Sequence, residues 1–180
     1  MTLAAARLKE LEEVALRATR VRRQLQQNSA ARSFDISVAV GMMIHGRVRA
    51  VPNLRHQGRR VSGLFVPDGV FPEVLFEAFE PRRRQRFTIA HELGHSYLDP
   101  LSPPVCDPSQ VDQEPDSNGG VQDVRESEAD AFASAFLIPT DLLVADIGRF
   151  GNCVAFLADL YDVSEPTMKR RLLATRVMSA

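Results

Sequence analysis

The sequence has little cysteine, little net charge and no long apolar run, and each shortage argues against a class of protein. Its two cysteines, Cys106 and Cys153, lie far apart and form no CxxC pair, which argues against a disulfide framework and against a structural zinc knuckle. A net charge of −1 gives no general attraction to nucleic acid or to a membrane surface. We therefore expect free thiols in a reducing compartment. Binding to nucleic acid or to a membrane would need a local charged patch, because the net charge of the protein does not favour it.

No segment approaches the roughly 18 uncharged apolar residues that a membrane-spanning helix needs. The N-terminal stretch MTLAAARLKELEEVALRATR carries basic and acidic residues that interrupt any secretory hydrophobic region. We therefore expect a cytoplasmic protein with no membrane partner. With 180 residues, 44% of them hydrophobic, the chain can bury the core of one domain, or of one domain with an appendage.

The apolar pattern predicts an α+β fold. Residues 3–27 have apolar positions three and four apart with no Gly or Pro, which predicts a helix. The segments VRAVPNL, SGLFVP and EVLFEAF are typical of short strands joined by turns. After Pro81, a helix is predicted to begin between Arg83 and Thr88 and to continue through His95. We expect a small antiparallel or mixed sheet that packs on this helix and on a second, glutamate-bearing helix.

Residues 99–124 form an acidic stretch with five prolines and no Lys or Arg between 99 and 123, which predicts a flexible loop. A helix should follow from Arg125 to Pro139, and Thr140 or Asp141 should cap another. The tail predicts two further helices, the second capped by Ser164. We divide the chain into an N-terminal helix (1–30), a core (31–143) and a helical C-terminal segment (144–180) that belongs to the same domain.

The stretch HELGH, His91 to His95, carries the first chemical signal. Two histidines four residues apart on a helix are turned about 40° from each other and stand about 6 Å apart along the axis, so both rings reach one side. This is the H-E-x-x-H pattern, in which His91 and His95 bind Zn²⁺ and Glu92 acts as general base. The alternative is a pair of surface histidines.

A catalytic zinc takes three protein ligands, and the stretch ESEAD offers the third. Glu126 and Asp130 lie one helical turn apart, so Glu126 can bind the metal while Asp130 accepts a hydrogen bond from a ligand histidine. Glu128 points about 160° away from Asp130 and ranks second as a ligand. Alone, these acids would be explained as a solvated stripe near a helix start, where the helix dipole favours acids. Downstream of HELGH, the metal interpretation is favoured.

Both stretches together resemble the ImmA/IrrE family of bacterial zinc metallopeptidases. RQRFTIAHELGH fits the family pattern RxxFTxAHExGH, and ESEADAFASAFLIP fits ExxAxxFAxxLLxP, in the same order and at a suitable spacing. The resemblance covers about residues 84–143 strongly. It implies a zincin-like fold with His91, His95 and Glu126 as Zn²⁺ ligands and Glu92 as catalytic base. The acidic stretch 99–124 is longer than in many members, a departure that concerns substrate choice.

The resemblance also implies a partner. Members of the family typically cleave a helix-turn-helix repressor of the Xre type and thereby switch on stress-response or mobile-element genes. A protein substrate of this kind is therefore expected, and the oligomeric state stays open.

The C-terminal stretch LADLYDVSEPTMKRRL supports a rival function. Its small Ala158, its apolar Val163 in the turn and its basic run from Lys169 to Arg171 are typical of a helix-turn-helix. The rival is a DNA-binding or repressor-binding regulator in which zinc is structural. Similar segments occur in ImmA/IrrE peptidase domains as part of the fold, and the few basic groups here would neutralise few phosphates. A role in packing or substrate docking is therefore favoured over nucleic-acid binding.

Overall fold

The computed structural model describes residues 3–26, 31–67, 70–98, 105–106 and 121–175. The described residues form two compact units, one within Met1–Phe34 and Ala131–Ala180 and the other within Asp35–Asp130. The sequence-based division at residues 30 and 143 stays a prediction, because compactness does not test a functional boundary. Most of the predicted acidic loop, residues 99–104 and 107–120, lies outside the described residues.

The described residues form seven helices and six short strands, which confirms the predicted α+β class. In chain order they are α1 (Leu3–Gln26), α2 (Ile36–Ile44), β1 (Arg47–Val51), β2 (Arg55–His56), β3 (Arg59–Arg60), β4 (Gly63–Val66), β5 (Glu73–Glu77), α3 (Arg82–Leu98), β6 (Val105–Cys106), α4 (Val121–Leu137), α5 (Thr140–Phe150), α6 (Val154–Tyr161) and α7 (Glu165–Ala174). No single helix in this part of the chain has the length and apolar content needed to cross a membrane.

The unit Asp35–Asp130 is built on a mixed four-stranded sheet in the order β1-β5-β4-β6. Strand β5 runs parallel to β1 and antiparallel to β4, and β6 pairs with β4 on its other side. Helix α3 packs on β4 and β5. It buries Ile89, Ala90 and Leu93, and β5 buries Val74 completely. Each large apolar side chain buried in this way contributes about 1.5–3 kcal/mol.

The segments VRAVPNL, SGLFVP and EVLFEAF, predicted to form two or three short strands, contain β1, β4 and β5. Helix α2 was not predicted, because its residues ISVAVGMMI are β-branched or apolar almost throughout and show no polar stripe. The helix is specified at its start instead. The Asp35 carboxylate accepts a hydrogen bond from the Ser37 backbone N–H at 3.0 Å, as an N-cap does. The small β2–β3 hairpin was also missed.

The other unit is helical, and its core is formed by the last part of α4 together with α5 to α7. Fully buried side chains include Phe132, Phe136, Leu143, Leu157 and Met168. Helix α4 begins at Val121, four residues before the predicted Arg125. The predicted caps of α5 were wrong, because Pro139 occupies the N-cap and no side chain caps that end.

The predicted helix pair in the tail is confirmed as α6 and α7. Asp162 ends α6 in the left-handed conformation, and the Ser164 hydroxyl accepts a hydrogen bond from the Thr167 backbone N–H at 3.3 Å. Val163 is buried in the turn and Ala158 is buried on α6, as expected. Cys153 is an exposed free thiol, also as expected. The tail therefore has the local form of a helix-turn-helix.

Asp146 connects α5 to Arg32 and to Tyr161 on α6 through three hydrogen bonds. Arg32 donates to both carboxylate oxygens at 2.5 and 2.6 Å, and the Tyr161 hydroxyl donates at 2.7 Å. The Arg32 guanidinium lowers the pKa of Asp146, although burial opposes it. This network therefore stabilises the fold above the ordinary pKa of aspartate near 3.8, and the contribution is lost as the pH falls through the lowered value.

Asp146→Ala is expected to lower the free energy of unfolding at pH 7 by about 3 kcal/mol, because it removes the buried carboxylate that accepts hydrogen bonds from Arg32 and Tyr161. This value is at the lower end of the range for removing one partner of a buried ion pair, because 21% of the Arg32 side chain is exposed. Urea denaturation measures the loss. The control is Asp141→Ala, which breaks an exposed 3.3 Å pair with Arg23 and should cost less than about 1 kcal/mol. Equal losses in both variants would contradict the assigned role of Asp146.

Candidate metal centre

Helix α3 brings its two histidines to one side, as the i, i+4 spacing predicts. The helix starts directly after Pro81, whose carbonyl accepts the backbone N–H groups of Arg84 and Gln85. His91 and His95 are both buried, and their ring centroids lie 4.6 Å apart. Their Nε2 atoms approach to 2.9 Å. Two ring nitrogens aimed at the same point are what a shared cation requires.

Glu126 on α4 completes the cluster. Its Oε2 lies 3.1 Å from the Nε2 of His91, and its Oε1 lies 3.4 Å from the Nε2 of His95. One ligand atom from each of the three residues falls within 4.8 Å of the others. The structure thus brings together the three residues predicted as metal ligands. Among the described residues Glu128, the second-ranked ligand, is not part of this cluster.

The donor set fits zinc. Two imidazole nitrogens and one carboxylate are a known ligand set of catalytic zinc, which leaves a fourth position open. Ligand atoms about 2.0–2.1 Å from a tetrahedral ion lie about 3.3 Å from one another. The observed separations of 2.9, 3.1 and 3.4 Å are close to that value. The three residues can therefore hold a metal ion with small side-chain adjustments.

Asp130 lies behind His91, where the sequence analysis expected it to support a ligand histidine. Its Oδ1 is 2.8 Å from the Nδ1 of His91. Because a carboxylate accepts hydrogen bonds, this contact favours the tautomer of His91 whose proton lies on Nδ1. The Nε2 atom then keeps its lone pair for a metal. One helical turn on α4 accordingly supplies both a candidate ligand and the group that fixes the tautomer of another.

The Glu126 carboxylate is held in its ionised form. Burial acts to raise its pKa, but in the metal-free site the hydrogen bonds and positive charge that His91 and His95 supply when their rings are protonated outweigh burial and lower the pKa to about 2. A bound metal ion would replace those protons as the positive charge beside the carboxylate. The carboxylate is therefore charged at neutral pH, which is the form that binds a metal ion.

Glu92 is fully buried and lies against β4. An ideal Cβ at Gly63 on that strand would stand only 2.6 Å from the Oε1 atom of Glu92. Glu92 is outside the three-residue cluster found in the described part of the chain. Gly63 was not among the residues predicted from the sequence to belong to the site. An isolated glycine inside a strand pattern was the available signal, since it often marks a close backbone approach.

An α+β domain with an HExxH helix and a glutamate from a following helix defines a zincin-like class of protein. The family model described as Peptidase_M78, IrrE N-terminal-like domain, matches residues 56–173, and the chain belongs to this family. The resemblance to ImmA/IrrE proteins inferred from the sequence is thereby confirmed. The family is one of metal-dependent peptidases.

A solved structure titled Mycobacterium tuberculosis transcriptional regulator has a similar fold. The two agree with a TM-score of 0.63 at 15% sequence identity, over 89% of this chain. This chain spans 46% of the length of that regulator, so the likeness concerns the fold of the shared part alone. The comparison with curated proteins gives no match.

Proposed function

We propose that this protein is a zinc metalloendopeptidase in which His91, His95 and Glu126 bind Zn²⁺ and Glu92 is the general base. The observation that carries the proposal is the convergence of three ligand atoms within 4.8 Å, with Asp130 behind His91. Solvated surface acids would not explain this arrangement, because both histidines are buried. The buried pair leaves the surface-histidine alternative without support.

Zn²⁺ at this site would supply a Lewis acid able to lower the pKa of water to about 7. The side chains then divide the remaining work. Glu92 accepts the proton of the attacking water and returns it to the leaving amine. Asp130 keeps the proton of His91 on Nδ1, so that Nε2 stays a ligand throughout. Each of these residues therefore holds or moves a proton at a defined atom.

The proposed substrate is a helix-turn-helix repressor of the Xre type, cleaved at a specific site in the cytoplasm. Cleavage would relieve repression of stress-response or mobile-element genes. The family supports a protein substrate. The similar structure that is titled a transcriptional regulator supports a connection with gene control.

The rival function, a regulator that reads DNA through α6 and α7, has less support. Lys169 and Arg170 are exposed, but Arg171 is buried. Arg171 donates to the Ile138 carbonyl at 3.1 Å and to the Thr140 hydroxyl at 2.6 Å. Burial lowers its pKa to about 10, which still leaves it charged at neutral pH. One of the basic groups counted for DNA contact is thus a structural group, which favours the role of this segment in packing.

The test is incubation of the zinc-loaded protein with the Xre-type repressor encoded nearest to its gene. Cleavage should give one discrete pair of fragments on a gel. A chelator should abolish cleavage, and fresh Zn²⁺ should restore it. Chelator-resistant cleavage would contradict the metal mechanism. An intact repressor that co-purifies with the zinc-loaded protein would support the repressor-binding regulator instead. A promoter shift with a steep salt dependence would support the DNA-binding rival.

A further inference from the structure

Gly63 is the first residue of β4 and pairs with Phe76 of β5 and Cys106 of β6. Its backbone is not in the left-handed region. Among the described glycines, Gly58 and Gly151 have a positive φ. Any residue could therefore adopt this backbone conformation. The reason for a glycine must lie in the space beside it.

That space is filled by one face of α3. An ideal Cβ at Gly63 would stand 2.5 Å from the Cγ2 atom of Thr88, 2.6 Å from the Oε1 atom of Glu92 and 3.0 Å from its Cγ. Thr88 and Glu92 are one helical turn apart, so both point at the same place on β4. Contacts under 3.0 Å do not persist, and a side chain at position 63 would force a neighbour to move.

Of the groups involved, Glu92 is the one that can move most easily. The backbone of β4 at Gly63 is paired on both sides. Thr88 is β-branched and has few rotamers on a helix. Glu92 has three rotatable side-chain bonds, and its Oε1 must retreat by at least about 0.8 Å to pass from 2.6 Å to an ordinary contact of 3.4 Å. A Cβ at position 63 therefore displaces the Glu92 carboxylate, and the Thr88 methyl group, 2.5 Å from that Cβ, must shift as well.

We propose that Gly63 is a positioning residue for Glu92, because the absence of a side chain on β4 determines where the Glu92 carboxylate lies. The catalytic consequence rests on the proposed function, in which Glu92 is the base. A displacement of about 1 Å in a catalytic group can cost about 10²-fold in rate. The nearest atoms to a Cβ at position 63 belong to Thr88 and Glu92 and not to His91, His95 or Glu126, so zinc content should stay near the wild-type level.

The test is Gly63→Ala, examined in two ways. Crystal structures of the zinc-loaded wild type and variant should show the Glu92 carboxylate displaced and the three-residue cluster unchanged. Kinetics should show kcat lowered about 10²-fold with KM nearly constant and with wild-type zinc content. In a Glu92→Gln background, Gly63→Ala should cause no further loss, because both changes act through the same group. The matched control is Gly148→Ala on α5, where a new Cβ meets nothing within 4 Å.

Three results would overturn the proposal: an unmoved Glu92 carboxylate in the variant, an unchanged kcat, or an equal further loss on top of Glu92→Gln. The last would mean that Gly63 acts on the fold and not on Glu92. If the wild type cleaves no repressor, the proposed function fails. The crystal structures still decide separately whether Gly63 determines the position of the Glu92 carboxylate.

Discussion

Glu92→Gln is expected to lower the rate of repressor cleavage about 10²- to 10⁴-fold while zinc content stays at the wild-type level. Glutamine nearly matches the shape of glutamate, so α3 and its buried packing against β4 should persist. The amide cannot accept a proton from water at neutral pH, and the reaction loses its base. Single-turnover cleavage followed on a gel, with zinc measured by elemental analysis, gives both quantities.

The matched control is Glu128→Gln, the same chemical change on α4 at a residue outside the three-residue cluster in the described part of the chain. It should leave both the rate and the zinc content unchanged. Cleavage by Glu92→Gln at the wild-type rate would show that Glu92 is not the base. Loss of zinc in Glu92→Gln would contradict this prediction. It would show that Glu92 supports the metal site, and the lower rate would then reflect the missing metal.

Much of the candidate site could be predicted because its parts are local. The i, i+4 spacing of His91 and His95 fixes their relative direction on any helix, and the same rule relates Glu126 to Asp130. The long-range step, which brings Glu126 to the histidines, came from the chemistry of zinc and not from periodicity. The structure brings these residues together at 3.1 and 3.4 Å.

What could not be predicted depends on contacts between elements distant in sequence. The close approach of Gly63 to Glu92 exists only because α3 lies on β4, and a one-dimensional pattern holds no such distance. Helix α2 was not predicted for a related reason. Its sides are almost all apolar, so periodicity, the main signal for a helix, is missing. Its N-cap Asp35 was the one local clue.

The basic run of the tail illustrates the same limit. Lys169, Arg170 and Arg171 are adjacent in sequence and look equivalent as cations for phosphate. Successive residues on a helix turn by about 100°, so three neighbours cannot share one face. Arg171 points inward to the Ile138 carbonyl, and the other two stay exposed. Composition therefore overestimated the charge available for DNA.

His91→Ala or His95→Ala is expected to reduce bound zinc from about one ion per chain to nearly none. Each change removes one of three protein ligands, and His91→Ala also leaves the Asp130 carboxylate without the imidazole at 2.8 Å. Zinc bound to the folded state stabilises it by about 2.7 kcal/mol when the free ion is at 100 times its Kd. Added zinc should therefore raise the melting temperature of the wild type but not of either variant.

The third ligand is decided by comparing Glu126→Ala with Glu128→Ala. Glu126→Ala should weaken zinc strongly, since both oxygens of Glu126 face the histidine nitrogens, at 3.1 and 3.4 Å. Glu128→Ala should leave the affinity near that of the wild type, which makes it the matched control on the same helix. Titration with a competing chelator measures the zinc affinity of these two variants and of the two histidine variants. The reverse order of the two glutamates would move the third ligand to Glu128, and unchanged zinc content in both histidine variants would remove the metal centre itself.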